Sequence, residues 1–278
     1  ALALAVPAFA AIAHGPDHQA QHAGHGVDAA ALKAAIASDV RDPKNSARDR
    51  YRNPEATLTF FQVAPNETLI EITPGSGGWY TEILAPYLRK DGRYFAAVVD
   101  PASVAEDRRA GAQRGIDTLK ARLAAHPAQF DQAQFALFSP TAPVFGPAGQ
   151  ADTVLTFRNV HNWLGAGTAQ QYFNGFFAAL KPGGVLGVVE HRAAPGTSLE
   201  QMQKSGYVTE ALVIEMATKA GFVLEDRSEV NANPKDTKDH PNGVWTLPPT
   251  NRHDAEDAPM FQAIGESDRM TLRFRKPL

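Results

Sequence analysis

The sequence has no cysteine in its 278 residues, and it contains only four methionines and three tryptophans. A chain without thiols forms no disulfide and carries no cysteine-based zinc motif. The absence of cysteine agrees with an exported protein, because unpaired thiols become oxidised in an oxidising compartment. A Walker phosphate loop and a recognisable nucleophile triad are also missing, which removes several common enzyme classes.

Long apolar runs and blocks of one charge are absent as well. The sequence has no stretch of about 18 apolar residues that would span a membrane. The net charge is -3, and neither sign is collected into a block, so nucleic-acid binding has little support. The composition, 44% hydrophobic, is typical of one good-sized α/β domain with extensions and a small-molecule partner. No motif specifies an oligomeric state.

Residues 1–13 resemble the end of a secretory signal peptide. They are rich in alanine and leucine, and both residues 8–10 and residues 11–13 fit the small-x-small rule for cleavage. We therefore exclude this segment from the fold and expect a periplasmic or secreted protein. The alternative is an alanine-rich helix of the mature protein.

Residues 14–27 form a second N-terminal segment, rich in histidine. Four of the nine histidines lie within residues 14–25, and imidazole clusters bind Zn, Cu or Ni. Glycine and proline leave these side chains without a fixed geometry, so the pattern favours a flexible tail over a physiological metal site. We predict no metal ligands.

The strongest local pattern lies at residues 68–81, where an apolar run breaks on clustered glycines and continues as a helix. Such a turn brings bare backbone N–H groups close to a nucleotide-like ligand. A tight strand-to-helix connection is the structural alternative. A second apolar run, residues 93–99, ends at Asp100, where a βαβ nucleotide site places its ribose-binding acid. This pairing favours a ligand site over an ordinary turn.

Strand and helix patterns alternate along most of the chain. Residues 28–66 are predicted to be an N-terminal helical extension, and residues 67–278 the main domain. Helices are predicted at 28–37, 54–63, 104–125, 168–180 and 208–220, and further strands at 134–139, 152–157, 185–190, 222–230 and 269–275. This order predicts an α/β fold, a Rossmann-like doubly wound and mostly parallel sheet.

Four motifs in this order resemble those of class I S-adenosylmethionine-dependent methyltransferases, specifically the exported bacterial group. Residues 71–77 resemble the acid-x-Gly-x-Gly-x-Gly signature, Asp100 the acid that ends the second strand, and residues 181–184 the turn before the fifth strand. Residues 157–160 also resemble quinone C-methyltransferases. The resemblance covers residues 50–278 and implies seven strands with an antiparallel last strand.

The resemblance also implies S-adenosylmethionine as cofactor. The residues carried over to its site are Glu71, Thr73, Gly75, Gly77, Asp100, Ser139 and Asn159. Two of them depart from the family pattern. Thr73 replaces the first signature glycine, and Ser139 stands where an acid reads the adenine amine, although a hydroxyl still accepts that hydrogen bond.

Catalytic candidates follow the fourth and fifth strands, because open α/β sheets bind ligands outside the carboxyl ends of their strands. His161 is the first candidate base and His191 the second, since imidazole titrates near neutral pH. A structural histidine at a strand end is the alternative for each. Further side chains are expected to wall or cover the pocket, with core or surface positions as the alternative: Tyr51, Arg52, Trp79, Trp163, Asp239, His240 and Trp245.

The expected function is methyl transfer from S-adenosylmethionine to a small acceptor, in an exported protein. One alternative is a methyltransferase-fold protein that methylates nothing and binds another small ligand, or a metal through its histidine-rich tail. Another is a cytosolic methyltransferase whose N-terminus only resembles a signal.

Overall fold

A computed structural model of the chain describes residues 26–278. The predicted signal segment, residues 1–13, and most of the predicted histidine-rich tail, residues 14–27, lie outside the described residues. No helix among residues 26–278 has the length and apolar character needed to cross a bilayer.

The described chain is built around one seven-stranded sheet. The strands are β1 (Thr68–Ile72), β2 (Arg93–Val99), β3 (Gln134–Phe138), β4 (Ala151–Phe157), β5 (Leu180–His191), β6 (Val223–Ser228) and β7 (Arg269–Arg275). Their order is β3-β2-β1-β4-β5-β7-β6, and β7 pairs antiparallel with both of its neighbours. The doubly wound α/β sheet with an antiparallel last strand is therefore confirmed.

Twelve α-helices connect the strands in the described residues. They are α1 (Ala29–Ile36), α2 (Pro43–Ser46), α3 (Asp49–Arg52), α4 (Pro54–Phe60), α5 (Thr81–Leu88), α6 (Glu106–Ala124), α7 (Pro127–Phe130), α8 (Val160–Gly165), α9 (Ala169–Ala179), α10 (Leu199–Ser205), α11 (Glu210–Ala220) and α12 (Ala258–Ile264). The longer predicted helices agree with these bounds to within a few residues. The short helices α2, α3, α7, α8, α10 and α12 carry too few turns to show a helical period.

The sheet separates two hydrophobic cores, because successive strand residues point to opposite faces. Leu186 and Val188 of β5 face a core formed with α8, α9 and α11. Val189 faces the other core, in which α1, α4, α5 and α6 pack. The predicted N-terminal extension thus contributes Leu32 of α1 to a core shared with the main sheet.

The carboxyl ends of β1, β2, β4 and β5 share one edge of the sheet, because these strands are parallel. Residues 43–52, which form α2 and α3, and residues 229–268, which join β6 to β7, contribute side chains at that edge. The second segment, residues 229–268, is not without secondary structure. It contains two short 3₁₀ helices, at Gly243–Thr246 and Ala255–Asp257, as well as α12.

Candidate functional site

The glycine turn after β1 has an open face. Thr73 and Gly75 both adopt left-handed backbone conformations, with φ of 49° and 73°. This conformation is ordinary for glycine but strained for a β-branched residue such as Thr73. A side chain added at Gly75 or Gly77 would meet nothing within 4 Å, so the backbone of the turn is accessible there. A cavity of about 160 Å³ lies between the turn, the end of β2 and α6.

Asp100 and Ser139 follow the neighbouring strands at the same edge. One carboxylate oxygen of Asp100 accepts a hydrogen bond from the backbone N–H of Ala102 at 2.9 Å. The other, Oδ2, makes no hydrogen bond within residues 26–278 and is free to accept one from a ligand. The hydroxyl of Ser139 lies 3.2 Å from that of Thr141.

Glu71 lies beneath the turn rather than on its open face. Its carboxylate is fully buried and accepts hydrogen bonds from Tyr94 at 2.5 Å and Thr81 at 3.0 Å. Burial raises the pKa of Glu71 to about 7, against the two hydroxyls that favour its charged form. These contacts place Glu71 where it supports the turn from below.

Asn159 connects the glycine turn to the two histidines. Its amide nitrogen donates to the carbonyl of Ile72, the residue before the turn, at 2.9 Å, and to the hydroxyl of Thr156 at 3.2 Å. His161 follows two residues later. The predicted cofactor edge and the predicted catalytic residues are therefore neighbours in the structure.

His161 and His191 flank a buried carboxylate, Glu190. The Nδ1 atom of His161 lies 3.0 Å from Oε1 of Glu190, while Oε2 accepts from the backbone N–H of His161 at 3.2 Å. The backbone N–H of His191 also donates to Oε1, at 2.7 Å. A carboxylate held in this way fixes the tautomer and orientation of the imidazole, as it does for general bases.

The second histidine is held neutral. His191 Nδ1 lies 2.5 Å from the hydroxyl of Ser267, and the two imidazole rings have centroids 5.3 Å apart. Burial lowers the pKa of His191 well below its usual value, and the positive charges around it act in the same direction. The ring of His161 thus has a carboxylate partner, Glu190, whereas the ring of His191 has a hydroxyl partner, Ser267.

His161, Glu190 and His191 each offer a ligand atom, and these atoms lie within 4.8 Å of one another. Two imidazoles and a carboxylate are a donor set that divalent metals accept. Both oxygens of Glu190 already accept hydrogen bonds, however, and the cavity in front of the histidines is lined by cationic side chains. Electrostatics therefore disfavours a cation at this position.

That cavity has a volume of about 290 Å³. It is lined by Arg48, Arg52, Arg158, His161, His191, Val244, Trp245, Pro248, Pro249, Thr250 and Arg269. The lining combines residues from α3, from the ends of β4 and β5, and from the segment before β7. Residues that are more than 200 positions apart in the sequence meet there.

Glu266 organises three of the four arginines. Its carboxylate accepts from Arg48 at 2.5 Å, from Arg52 at 3.4 Å and from Arg269. The three guanidinium groups hold the pKa of Glu266 far below its usual range, although burial acts in the opposite direction. Glu266 is therefore ionised, and it ties α3 to the start of β7.

Two of the seven predicted pocket residues, Arg52 and Trp245, line the cavity, and Trp79 contacts Arg52 without lining it. Arg52 lines it and also stacks on Trp79, with 4.8 Å between the guanidinium carbon and the ring centroid. Trp245 lines it from the loop, with its ring 6.0 Å from that of His161. Trp245 therefore lies where a side chain that covers the pocket is expected to lie.

The remaining predicted pocket residues have other surroundings. Trp163 stacks on Tyr172 in the hydrophobic core, with ring centroids 4.0 Å apart. Tyr51 packs beside Gly265. His240 bonds to the buried Asp236 at 2.8 Å, and with Asp239 it lines a separate, open cleft. None of these four side chains lines the 290 Å³ cavity.

Five residues of the site were not among the sequence candidates: Arg48, Arg158, Glu190, Glu266 and Arg269. The sequence positions of Glu190 and Arg158 could have indicated a role. Glu190 lies beside His191 at the end of β5, and Arg158 directly follows β4, three residues before His161. Arg48, Glu266 and Arg269 carried none, since their proximity arises only from the tertiary fold.

Comparison with known proteins identifies the fold. No family model matches the sequence, and no curated protein matches it. Among solved structures, an S-adenosylmethionine-dependent methyltransferase from Aquifex aeolicus superposes with a TM-score of 0.53 at 13% identity, covering 90% of this chain and 98% of that one.

Two further solved structures are similar. Human N-acetylserotonin methyltransferase, in complex with S-adenosylmethionine, gives a TM-score of 0.51 at 14% identity, over 89% of this chain and 56% of that one. The 4+2 cyclase SpnF gives 0.53 at 16% identity, over 87% and 85%. The chain has the class I methyltransferase fold, as the sequence motifs implied. At these identities the similarity establishes the fold alone.

Proposed function

We propose that this protein transfers a methyl group from S-adenosylmethionine to a small-molecule acceptor. The observation that carries the proposal is the position of His161, held by Glu190, directly beside the glycine turn through Asn159. A cofactor edge and a base with an orienting carboxylate are the two parts that such a transfer requires.

The residues at the edge fit the cofactor. Gly75 and Gly77 leave the backbone of the turn open, which a side chain at either position would block. Asp100 Oδ2 would accept from the ribose hydroxyls, and the hydroxyl of Ser139 would accept from the adenine amine. Thr73 would lie against the methionyl part, with its side chain where the family has bare backbone.

S-adenosylmethionine, when bound, supplies a methyl group on a positively charged sulfur. The chain's own residues then align the acceptor and manage its proton. The arginine-lined cavity holds the acceptor beside His161, and His161 accepts the proton that the acceptor loses as the new bond to the methyl carbon forms. Glu190 stabilises the imidazolium that results.

A second function keeps some support from the same site: a methyltransferase-fold protein that binds another small ligand and methylates nothing. Thr73 and Ser139 depart from the cofactor pattern. In addition, one structure with a similar fold is named as a cyclase, so the fold by itself does not specify the reaction.

Calorimetric titration of the full chain with S-adenosylmethionine and S-adenosylhomocysteine separates the two functions. We expect both to bind the wild type, and Asp100→Ala to lose about 2 kcal/mol, roughly 30-fold in affinity, because two hydroxyl contacts are removed. Asp91→Ala, an exposed position in the turn before β2, is the control and keeps wild-type affinity. If the wild type binds neither compound, or if Asp100→Ala binds them as well as the wild type does, methyl transfer at this edge is refuted.

A further inference from the structure

The cavity beside the histidines has an excess of positive charge. Arg48, Arg52, Arg158 and Arg269 line it, and all of them except Arg158 share one carboxylate, Glu266. Glu190, a further carboxylate at this edge, is already engaged by His161 and by the backbone of His191. Removing guanidinium groups from bulk water without matching carboxylates destabilises the folded protein, unless a ligand supplies the negative charge.

Some donors in this wall have no partner in the described part of the chain. Arg48 Nη2 and Arg269 Nε are buried nitrogen atoms without a hydrogen-bond acceptor among residues 26–278. The guanidinium group of Arg158 likewise makes no hydrogen bond or ion pair within that range, although the residue is half-buried. Because buried donors are almost always satisfied, these groups point to an acceptor that the chain does not provide.

Arg158 is also held in a strained backbone conformation. Its φ of 60° is left-handed, which is uncommon for any residue other than glycine, asparagine or aspartate. Its backbone N–H donates to the carbonyl of Val189 at 2.7 Å, which fixes the end of β4 against β5. Strain of this kind is retained where the side-chain position has a function.

Part of the cavity lining is apolar. Val244, Trp245 and Pro248 contribute apolar surface to it, and all three come from the segment before β7. A volume of about 290 Å³ admits a molecule with a single ring. The mixed lining therefore matches a ligand with one apolar part and one anionic part.

We propose that this cavity binds the carboxylate or phosphate group of a small acceptor with an apolar, ring-sized body, and that Arg158 contacts the anionic group directly. The identification of this ligand as the methyl acceptor rests on the proposed function, whereas the anion site does not. An anionic acceptor also suits methyl transfer here, because it offsets the repulsion between the arginines and a positively charged sulfur donor.

Calorimetric titration with three probes tests the anion site without the cofactor. Benzoate and phenyl phosphate carry a ring with a carboxylate or a phosphate, and benzyl alcohol is the matched neutral probe. We expect at least one anionic probe to bind the wild type at least 10-fold more tightly than benzyl alcohol. The tighter of the two anions identifies the preferred group.

Three variants assign the binding to Arg158. Arg158→Gln is expected to lower the affinity for the anionic probe at least 10-fold. Arg158→Lys is expected to recover part of that affinity, because lysine restores the positive charge. Arg227→Gln, at an exposed arginine of β6, is the control and leaves the affinity unchanged. Circular dichroism confirms that each variant is folded.

The proposal is overturned if neither anionic probe binds, if benzyl alcohol binds as tightly as they do, or if Arg158→Gln binds them like the wild type. Failure of the proposed function has a different signature. In that case the anionic probes bind and respond to Arg158→Gln, while S-adenosylmethionine and S-adenosylhomocysteine do not bind.

Discussion

Arg158 and Glu71 show how single residues at the carboxyl edge reduce stability. Arg158 is half-buried without an ion partner in the described residues, and burial lowers its pKa to about 10. Full burial raises the pKa of Glu71 to about 7, although two hydroxyl hydrogen bonds and the charge of Arg158 act in the opposite direction. In each case the fold disfavours the charged form. Active sites often contain such groups because ligand binding, rather than folding, determines their placement.

Arg158→Gln is expected to raise the free energy of unfolding at pH 7, by about 2 kcal/mol, because it removes a desolvated charge. Urea unfolding without added anions measures the difference. Saturating benzoate or phenyl phosphate should reduce it, since these ligands stabilise the wild type more than the variant. A variant less stable than the wild type would mean that the charge is compensated within the fold.

Glu71→Gln is expected to change the pH dependence of stability. The folded protein retains the Glu71 proton up to about pH 7, whereas the unfolded chain releases it near the ordinary value of 4.5. The stability from the protonated form is therefore complete below pH 4.5 and is lost as the pH rises through 7, by about 3 kcal/mol in total.

Glutamine imitates the protonated carboxyl group. Between pH 5 and pH 8, the free energy of unfolding of Glu71→Gln should therefore rise relative to that of the wild type. Urea unfolding at both pH values measures this gain. Glu200→Gln, at an exposed position of α10, serves as the control for the loss of one carboxylate outside the core. A constant difference between Glu71→Gln and the wild type would mean that Glu71 is ionised throughout.

At the scale of elements, the site depends on how α3 is attached to the segment that enters β7. Glu266 makes this attachment through Arg48 and Arg52, and it also pairs with Arg269 at the start of β7.

The long strands and helices were predicted because their apolar periods extend over several residues. The short helix α3 was not, since four residues, Asp49–Arg52, contain hardly more than one turn.

Glu266→Gln is expected to destabilise the protein by about 3–5 kcal/mol, because it leaves three clustered guanidinium groups without their carboxylate. Thermal and urea unfolding measure the loss. Glu229→Gln removes a carboxylate that is 69% exposed and bonded to Arg192, and it should cost less than about 1 kcal/mol. Equal losses in the two variants would contradict a central position for Glu266.

At the scale of the whole molecule, one sheet and its two cores bring distant segments to a single edge. The N-terminal helices and the segment before β7 both meet the ends of β4 and β5 there. Residues 1–13, which lie outside the described residues, carry the prediction of export. Export of the protein stays a prediction from the sequence.

We expect the protein isolated from the periplasmic fraction of its native host to begin at Ala11 or His14, because residues 8–10 and 11–13 fit the cleavage rule. Mass spectrometry of the intact protein measures the N-terminus. Recovery of a chain that retains residues 1–13 from the cytoplasmic fraction would instead support the cytosolic alternative.

The sequence alone determined the order of strands and helices, the glycine turn and the positions of His161, His191 and Asp100 at strand ends. These features are local, because they depend on side-chain period, on turn residues and on the rule that parallel strands share a carboxyl edge. Only the tertiary structure decided that Trp163 belongs to the core and that Trp245 reaches the cavity. It also decided which carboxylates meet which arginines, because Arg48 and Glu266 are brought together by packing across the whole sheet and by no pattern within either segment.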